Sequence, residues 1–279
     1  MSSINTNVAA IKARSNLDRV QRDMDTSIAR LSSGKRITRA HDDAAGSAIA
    51  GRMESQIRGI NMNIRAAKDG QSLVDTQEGA LQEVTSMLQR MRELAVQSES
   101  GALTAKDRDY LQLELGQLFD EINAISANTK FNDINVMTGA SFSFYTDIDV
   151  KGTAITTVEV SASAQNLMTS ISSISIGSGQ ILGSTSGVQA SIIKLDAALV
   201  SVASMRANLG AVSNRFDHVI DNLTNVVANT ESSKSRIEDA DFAVETTQLT
   251  RNTVLQQAAT SMVAQANAQK NSILALIQG

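Results

Sequence analysis

The chain has 279 residues, a formal net charge of -4, 42% hydrophobic, 19% charged and 3% aromatic residues, and no Pro, Cys or Trp. The lack of Cys excludes disulfides, thiol nucleophiles, Cys-ligated zinc and iron–sulfur clusters, and two histidines, His41 and His218, are too few for a multi-histidine metal site. The mildly acidic balance argues against the basic face of a nucleic-acid binder, and the lack of Pro favours long helices, since an interior Pro removes a backbone donor and clashes with the preceding turn.

Met1–Asn7 lacks the basic stretch and apolar run of a classical secretory signal, so composition alone predicts a cytoplasmic protein. Nor does any apolar run approach the ~20 residues that cross a bilayer, so no membrane insertion is expected. Near the start, Ala10, Ala13, Leu17, Val20, Met24 and Leu31 recur at 3–4 spacing, with Ser27 in the same seam. The pattern resumes at Ile57 and runs through Ile60, Ile64, Ala67, Val74, Leu81 and Leu88, interrupted by Gln71 and Glu78. Gly46, Gly51, Gly59, Gly70 and Gly79 fall inside this long helix. Each costs about 1 kcal/mol relative to Ala, which close helix–helix approach offsets; a tolerated glycine on an exposed face is the alternative at each. A shorter helix carries Leu111, Leu115, Leu118, Ile122 and Ile125, and Thr104 with Asp107 three residues on resembles a capping box at its start.

From about Thr138 to Ala190 the chain turns rich in Ser, Thr and Gly. Phe142, Phe144, Ile148 and Val150 alternate with polar residues, Lys151-Gly152-Thr153 offers a turn, and Thr156, Val158 and Val160 alternate after it, which predicts a β-hairpin. Helical spacing returns with Ile192, Leu195, Leu199, Val202, Leu209, Phe216, Ile220, Leu223 and Val227. A last helix shows Leu255, Ala259, Met262, Ala266, Ile273 and Leu276. Sustained 3–4 spacing predicts coiled-coil packing, and at 1.5 Å per residue a helix of ~50 residues is roughly 75 Å long. The expected fold is mainly α: long antiparallel coiled-coil helices forming a rod, a small β-hairpin insert, and the N- and C-terminal helices paired at one end. The terminal seams are rich in Ala, Ser, Gln and Met rather than Leu. Such a thin pair buries too little apolar area to stand alone, so either other subunits cover it or the ends fray in the free chain and order on assembly.

Other features do not rise to chemistry. His41-Asp42-Asp43 reads as solvated charge and helix capping in a hinge rather than an acid/base or metal cluster. Glu238, Asp239 and Asp241 read as negative charge at a helix start. Asn222-Leu223-Thr224 fits a glycosylation pattern but falls within a predicted helix. No glycine-rich phosphate loop or Ser-His-Asp set is apparent, so no catalytic residue, metal or cofactor is expected.

Two blocks of residues carry a resemblance. Leu31-Ser32-Ser33-Gly34-Lys35-Arg36-Ile37, with Asp42-Asp43-Ala44-Ala45-Gly46 and Ala48-Ile49, resembles the N-terminal signature of bacterial flagellins. Ser235-Arg236-Ile237-Glu238-Asp239-Ala240-Asp241, Leu255-Gln256-Gln257-Ala258 and Ala264-Gln265-Ala266-Asn267 resemble the C-terminal one. Thr38 stands where the family commonly has Asn, Ala268-Gln269-Lys270-Asn271 lacks the Pro often found there, and Ile277-Gln278-Gly279 replaces a basic tail. The short middle implies a form lacking large outer domains. The resemblance implies a homo-polymer, the flagellar filament, built from subunits exported unfolded through the flagellar type III apparatus without a cleaved signal; the expected location therefore becomes extracellular. It also implies an export chaperone, a filament cap and hook-associated proteins as partners.

The implied organisation is an inner, D0-like coiled-coil domain from residues 1–42 and 236–279, and a rod-like, D1-like domain over 43–235. The second domain holds the hairpin near 140–163 and the Ser/Thr/Gly-rich segment to about 190. Leu17, Val20, Met24, Leu31, Leu255, Met262, Ile273 and Leu276 are the expected inner-tube packing residues, and Gln256, Gln257, Gln265 and Gln269 are either channel-lining or ordinary solvated positions. Gln89-Arg90-Met91-Arg92-Glu93-Leu94-Ala95-Val96-Gln97 resembles the flagellin segment recognised by vertebrate Toll-like receptor 5. That marks Gln89, Arg90, Leu94, Gln97 and Glu114 as receptor-contacting, with Leu94 as an exposed anchor on the face of Arg90 and Gln97. The alternative functions are a hook–filament junction protein and a flagellin-like cell-surface polysaccharide-binding protein.

Overall fold

A computed structural model describes residues 6–137, 139, 141–145, 157–160 and 185–278. Helix α1 runs Val8–Ser33. The Asn7 side chain accepts from the Ala10 N–H at 3.1 Å at its start. Gly34 ends it at φ +71°, with its N–H on the Arg30 carbonyl at 2.8 Å; this left-handed position is one that a residue without Cβ fills at least cost. Helix α2, Ala44–Ser98, follows a short hinge, and helix α3 spans Ala105–Asn128. The expected capping box is formed: Thr104 Oγ1 accepts from the Asp107 N–H at 3.3 Å, and the Asp107 carboxylate accepts from the Thr104 N–H at 2.9 Å.

A hairpin absent from the sequence reading follows. Strands β1 (Lys130–Phe131) and β2 (Ile134–Asn135) pair antiparallel around Asn132 and Asp133, at φ 50° and 63°. Positive φ at both central residues is the type I′ requirement. Asn135 ties the hairpin to α3 through its side-chain amide, which donates to the Ser126 carbonyl at 3.2 Å. The expected hairpin is present as β3 (Phe142–Tyr145) and β4 (Thr157–Val160), with Phe142 opposite Val160 and Tyr145 opposite Thr157. Its turn, Lys151-Gly152-Thr153, lies outside the described residues. Helices α4 (Thr185–Glu238) and α5 (Phe242–Gln278) complete the chain.

The chain divides into two compact units, residues 58–227 and residues 1–57 with 228–279. In the first, Leu81, Leu88, Met91 and Leu94 of α2 are fully buried with Ile122 of α3, Val136, Met137 and Leu195, Val202 and Phe216 of α4. The Phe144 and Phe216 rings meet edge to face at 5.6 Å. Here α2 carries two adjacent buried rows: Ile60, Ala67, Val74, Leu81, Leu88 and Ala95, and Gly70, Gln77, Val84, Met91 and Ser98. Gln77 is fully buried, and its side-chain amide donates to the Val136 carbonyl at 2.7 Å, which pins the segment after β2 to α2. The glycines divide as the two readings allowed. A Cβ on Gly70 would lie 2.6 Å from the Phe216 ring, whereas none would meet an atom within 4 Å at Gly51 or Gly79.

The stretch Gly187–Glu238 of α4 is long and apolar enough by composition to cross a membrane, although no continuous apolar run stands out in its sequence. Ala interspersed among Ile, Leu and Val raises its mean hydropathy. Its large seam residues Leu195, Val202, Leu209 and Phe216 are buried in a protein core.

Candidate functional site

The two signature blocks, more than 180 residues apart in sequence, meet in the unit formed by residues 1–57 and 228–279. After Gly34 breaks α1, Lys35 forms an antiparallel bridge with Asp239. The Arg36 N–H donates to the Glu238 carbonyl at 2.6 Å, and the Ala240 N–H donates to the Gly34 carbonyl at 3.0 Å. Side chains reinforce this clasp: Lys35 Nζ pairs with Glu238 at 2.6 Å, and the Arg36 guanidinium donates to the Ile237 carbonyl at 2.7 Å. Lys234 of α4 further pairs with Glu54 of α2.

The acidic residues of the hinge have distinct jobs. Asp42 accepts from the backbone N–H groups of Arg39 at 2.9 Å and Thr38 at 3.1 Å, and from the Thr38 hydroxyl at 3.0 Å. The Arg39 bond foremost, then those from Thr38, hold its carboxyl below the ordinary value, as hydrogen bonds to the charged form do. Asp43 caps α2 by accepting from the Gly46 N–H at 2.8 Å. A Cβ on Gly46 would lie 2.5 Å from the Asp43 carboxylate and 2.8 Å from Ile37 Cδ1, so the turn closes only over a glycine. Of the acidic trio near the other signature, only Asp241 sits at a helix start, accepting from the N–H groups of Ala243 and Val244. Glu238 ends α4 instead, and Asp239 accepts from the Ser235 hydroxyl at 2.5 Å.

From the clasp, α1 and α5 run antiparallel. Three bonds fix their register: Arg30 with Glu245 at 3.0 Å, the Gln256 amide donating to Gln21 Oε1 at 2.6 Å, and the Asn7 amide donating to the Ala266 carbonyl at 3.0 Å. The α1 face is the expected one, since Ala10, Ala13, Leu17, Val20, Met24, Ser27 and Leu31 are all buried or half-buried. On α5 the expected phase is displaced. The protected row is Glu245, Leu249, Asn252, Gln256, Ala259, Val263 and Ala266, while Leu255 and Met262 are 45% and 63% exposed. Ala259 and Ala266 thus lie on the seam, and Leu255 and Met262 lie on its flank, roughly a quarter turn away and exposed on the single chain. Side chains of Ile273 and Leu276 lie outside the described residues. The deepest seam positions are Val20, Ser27, Glu245 and Asn252, three of them polar.

The second predicted surface lies in the other unit. Gln89, Arg90 and Gln97 on α2 and Glu114 on α3 are exposed. Arg90 links the helices, pairing with Glu114 at 2.8 Å and with Glu93 at 3.2 Å, and its guanidinium is raised above its ordinary value first by the Glu114 bond. Leu94 is not an exposed anchor: it is 0% exposed, inside the core with Met91 and Ala95. The sequence spacing detected one face of α2, whereas α3 and the hairpins cover a second.

Comparison with known proteins matches the same two ends. Residues 4–141 match the bacterial flagellin N-terminal helical region, and residues 192–277 match the bacterial flagellin C-terminal helical region. The chain is 36% identical to a flagellin of Halalkalibacterium halodurans and 37% identical to the flagellar filament core protein flaB2 of Brachyspira hyodysenteriae, in each case over 99% of both chains. A solved structure of a putative flagellar hook-associated protein from Vibrio parahaemolyticus shares the fold with a TM-score of 0.61 at 15% identity, covering 71% of this chain and 100% of that one.

Proposed function

The chain belongs to the bacterial flagellin family, a structural subunit of the extracellular flagellar filament, and from that premise we propose how its two ends serve assembly. The carrying observation is the clasp between residues 34–37 and 237–240, with the antiparallel α1–α5 pair leading away from it. The reading takes residues 1–42 and 236–279 as the inner domain and 43–235 as the rod-like one. Backbone hydrogen bonds hold the clasp, and in the pair beyond it Ala, Gln, Asn and Ser fill half of the seam positions. Apolar side chains left outside that seam on one chain, Val8, Ile11, Val254, Leu255 and Met262, are available to neighbouring copies. Leu17, Val20, Met24 and Leu31 pack within the chain; Leu255 and Met262 pack between chains. Burial of such residues between copies supplies about 25 cal/mol per Å² of apolar surface, which the isolated pair lacks. No catalytic step belongs to this reading.

The test is electron microscopy of purified protein under polymerising conditions. Full-length chain gives filaments, and removal of residues 1–42 or 236–279 abolishes them. Filaments from either truncated form contradict the reading.

Export through the flagellar type III apparatus, with an export chaperone, the filament cap and hook-associated proteins as partners, belongs to the same proposal. The lack of Pro and Cys supports it, since an unfolded chain without either refolds with no prolyl isomerisation or cross-linking phase. Recognition by Toll-like receptor 5 is a second proposal, supported by the exposed Gln89, Arg90, Gln97 and Glu114 on adjoining helices. Leu94 acts there from beneath, holding the α2 backbone in place. Monomer applied to receptor-reporter cells gives a signal that Arg90→Ala reduces without loss of helicity; an unchanged signal removes Arg90 from the contact.

A further inference from the structure

The apolar layers between α2 and α4 leave one question open, and the polar residues among them answer it. On α4, Leu195, Val202, Leu209, Phe216 and Leu223 recur every seventh residue, aliphatic at all but one place, and on α2 Val74, Leu81 and Leu88 do the same. Layers that repeat this way fit equally well when one helix slides past the other by a heptad, about 10 Å at 1.5 Å per residue. Apolar packing alone therefore leaves the register degenerate.

Phe216 breaks the repeat. Its ring sits where a Cβ on Gly70 would stand 2.6 Å from its Cζ, so the ring occupies a notch that only glycine leaves open. A slide of one heptad either way brings Phe216 against Asn63 or Gln77, where no notch exists. Three polar pairs within this unit repeat the message. Gln71 donates to Asp217 at 2.5 Å, Arg206 pairs with Glu78 at 2.6 Å, and Arg92 pairs with Asp196 at 2.6 Å. Gln71, Glu78 and Arg92 occupy one heptad position on α2, and they include the two residues that interrupt its apolar pattern. After a slide, Glu78 faces Leu199 or Ser213 and Arg206 faces Gln71 or Thr85. Half-exposed pairs add little stability, but a polar residue at a seam position specifies register at a cost in stability.

We propose that the Phe216–Gly70 notch, together with the Glu78–Arg206 pair and its two neighbours, is a registration key that selects one axial alignment of α2 and α4. These residues are positioning residues. Their effect is to fix which exposed residues of α2 stand level with which exposed residues of α4, a relation that a repeating polymer must hold constant from copy to copy.

The test reads register directly. The full chain has no cysteine, so cysteines replacing exposed Lys68 on α2 and exposed Ser201 on α4 take nitroxide labels specifically. These sites are offset by roughly 25 Å along the helices, so a heptad slide changes their separation by nearly its full length. Pulsed electron resonance on the otherwise unaltered chain gives one distance. Phe216→Leu combined with Glu78→Ala and Arg206→Ala adds a second population displaced by about 9 Å. A single, unshifted distance in that variant, with helicity retained, overturns the proposal. Should the triple variant not fold, Glu78→Arg alone decides. The proposal expects a second distance from it and recovery of the single distance on adding Arg206→Glu; one unchanged distance in Glu78→Arg overturns it.

Discussion

The unit of residues 58–227 and the unit of residues 1–57 with 228–279 are both built from antiparallel helices with 3–4 seams, yet they bury different chemistry. The first closes over Leu81, Leu88, Met91, Leu94, Ile122, Leu195, Val202 and Phe216, all fully buried. The helix pair of the second has Glu245 and Asn252 among its deepest residues, each 7% exposed. It leaves Leu255 and Met262 outside. The lesson is that periodicity alone does not measure self-sufficiency. A seam that buries large apolar side chains makes a domain, and a seam that buries small and polar ones makes half of an interface, completed from outside.

The largest contrast comes from truncating apolar side chains. In the larger unit Phe216→Ala costs about 3–5 kcal/mol of monomer stability and Leu94→Ala about 2–5 kcal/mol, read by urea denaturation. Leu17→Ala on half-buried α1 costs under about 1 kcal/mol in the monomer but slows or prevents polymerisation. Equal monomer costs at the two sites would break the comparison.

Adding one methyl group sharpens it next. Gly70→Ala drives a Cβ into the Phe216 ring and destabilises by about 1–3 kcal/mol. Gly79→Ala, on the same helix with open space around it, stabilises by up to about 1 kcal/mol. Thermal melts of the two variants should move in opposite directions.

A smaller effect is expected at the polar seam. Arg30→Met leaves Glu245 without its partner and loosens α5 by about 1 kcal/mol, seen as faster amide exchange over residues 242–256 with no change in the larger unit. The smallest signal is the hinge titration. The Arg39 and Thr38 bonds hold Asp42 below its ordinary value of 3.8, so its contribution is fully present above that value and is lost as pH falls through the lower folded one. Amide shifts of Thr38 and Arg39 should therefore hold at pH 4 and move only in more acidic solution, and Asp42→Asn should remove that step.

Much of this was legible in the sequence. The α1 seam, the α2 and α4 seams, the β3–β4 hairpin and the Thr104 capping box follow from spacing and turn chemistry. The α5 phase was not legible, because its inward row is Glu245, Asn252, Gln256 and small residues. Hydrophobic periodicity then points at Leu255 and Met262, which the single chain leaves exposed. Leu94 was misread for the opposite reason: it is buried in a further row of α2, with Leu73 and the partly buried Ala80 and Met87, beside the seam that the spacing reports. The β1–β2 hairpin escaped because each strand has two residues, too short for alternation; Asn132-Asp133, both able to adopt positive φ, was the available signal. The clasp joins backbone atoms far apart in the chain, which no local pattern reports, although both signature blocks mark its two halves.

Amide hydrogen exchange on monomer and on polymerised filaments tests the central claim most directly. If the terminal pair is completed by neighbouring copies, residues 8–33 and 242–269 exchange rapidly in the monomer and become strongly protected in the filament, while the core amides around Leu88, Ile122 and Leu195 are protected in both. Equal protection of the terminal helices in monomer and filament would contradict it.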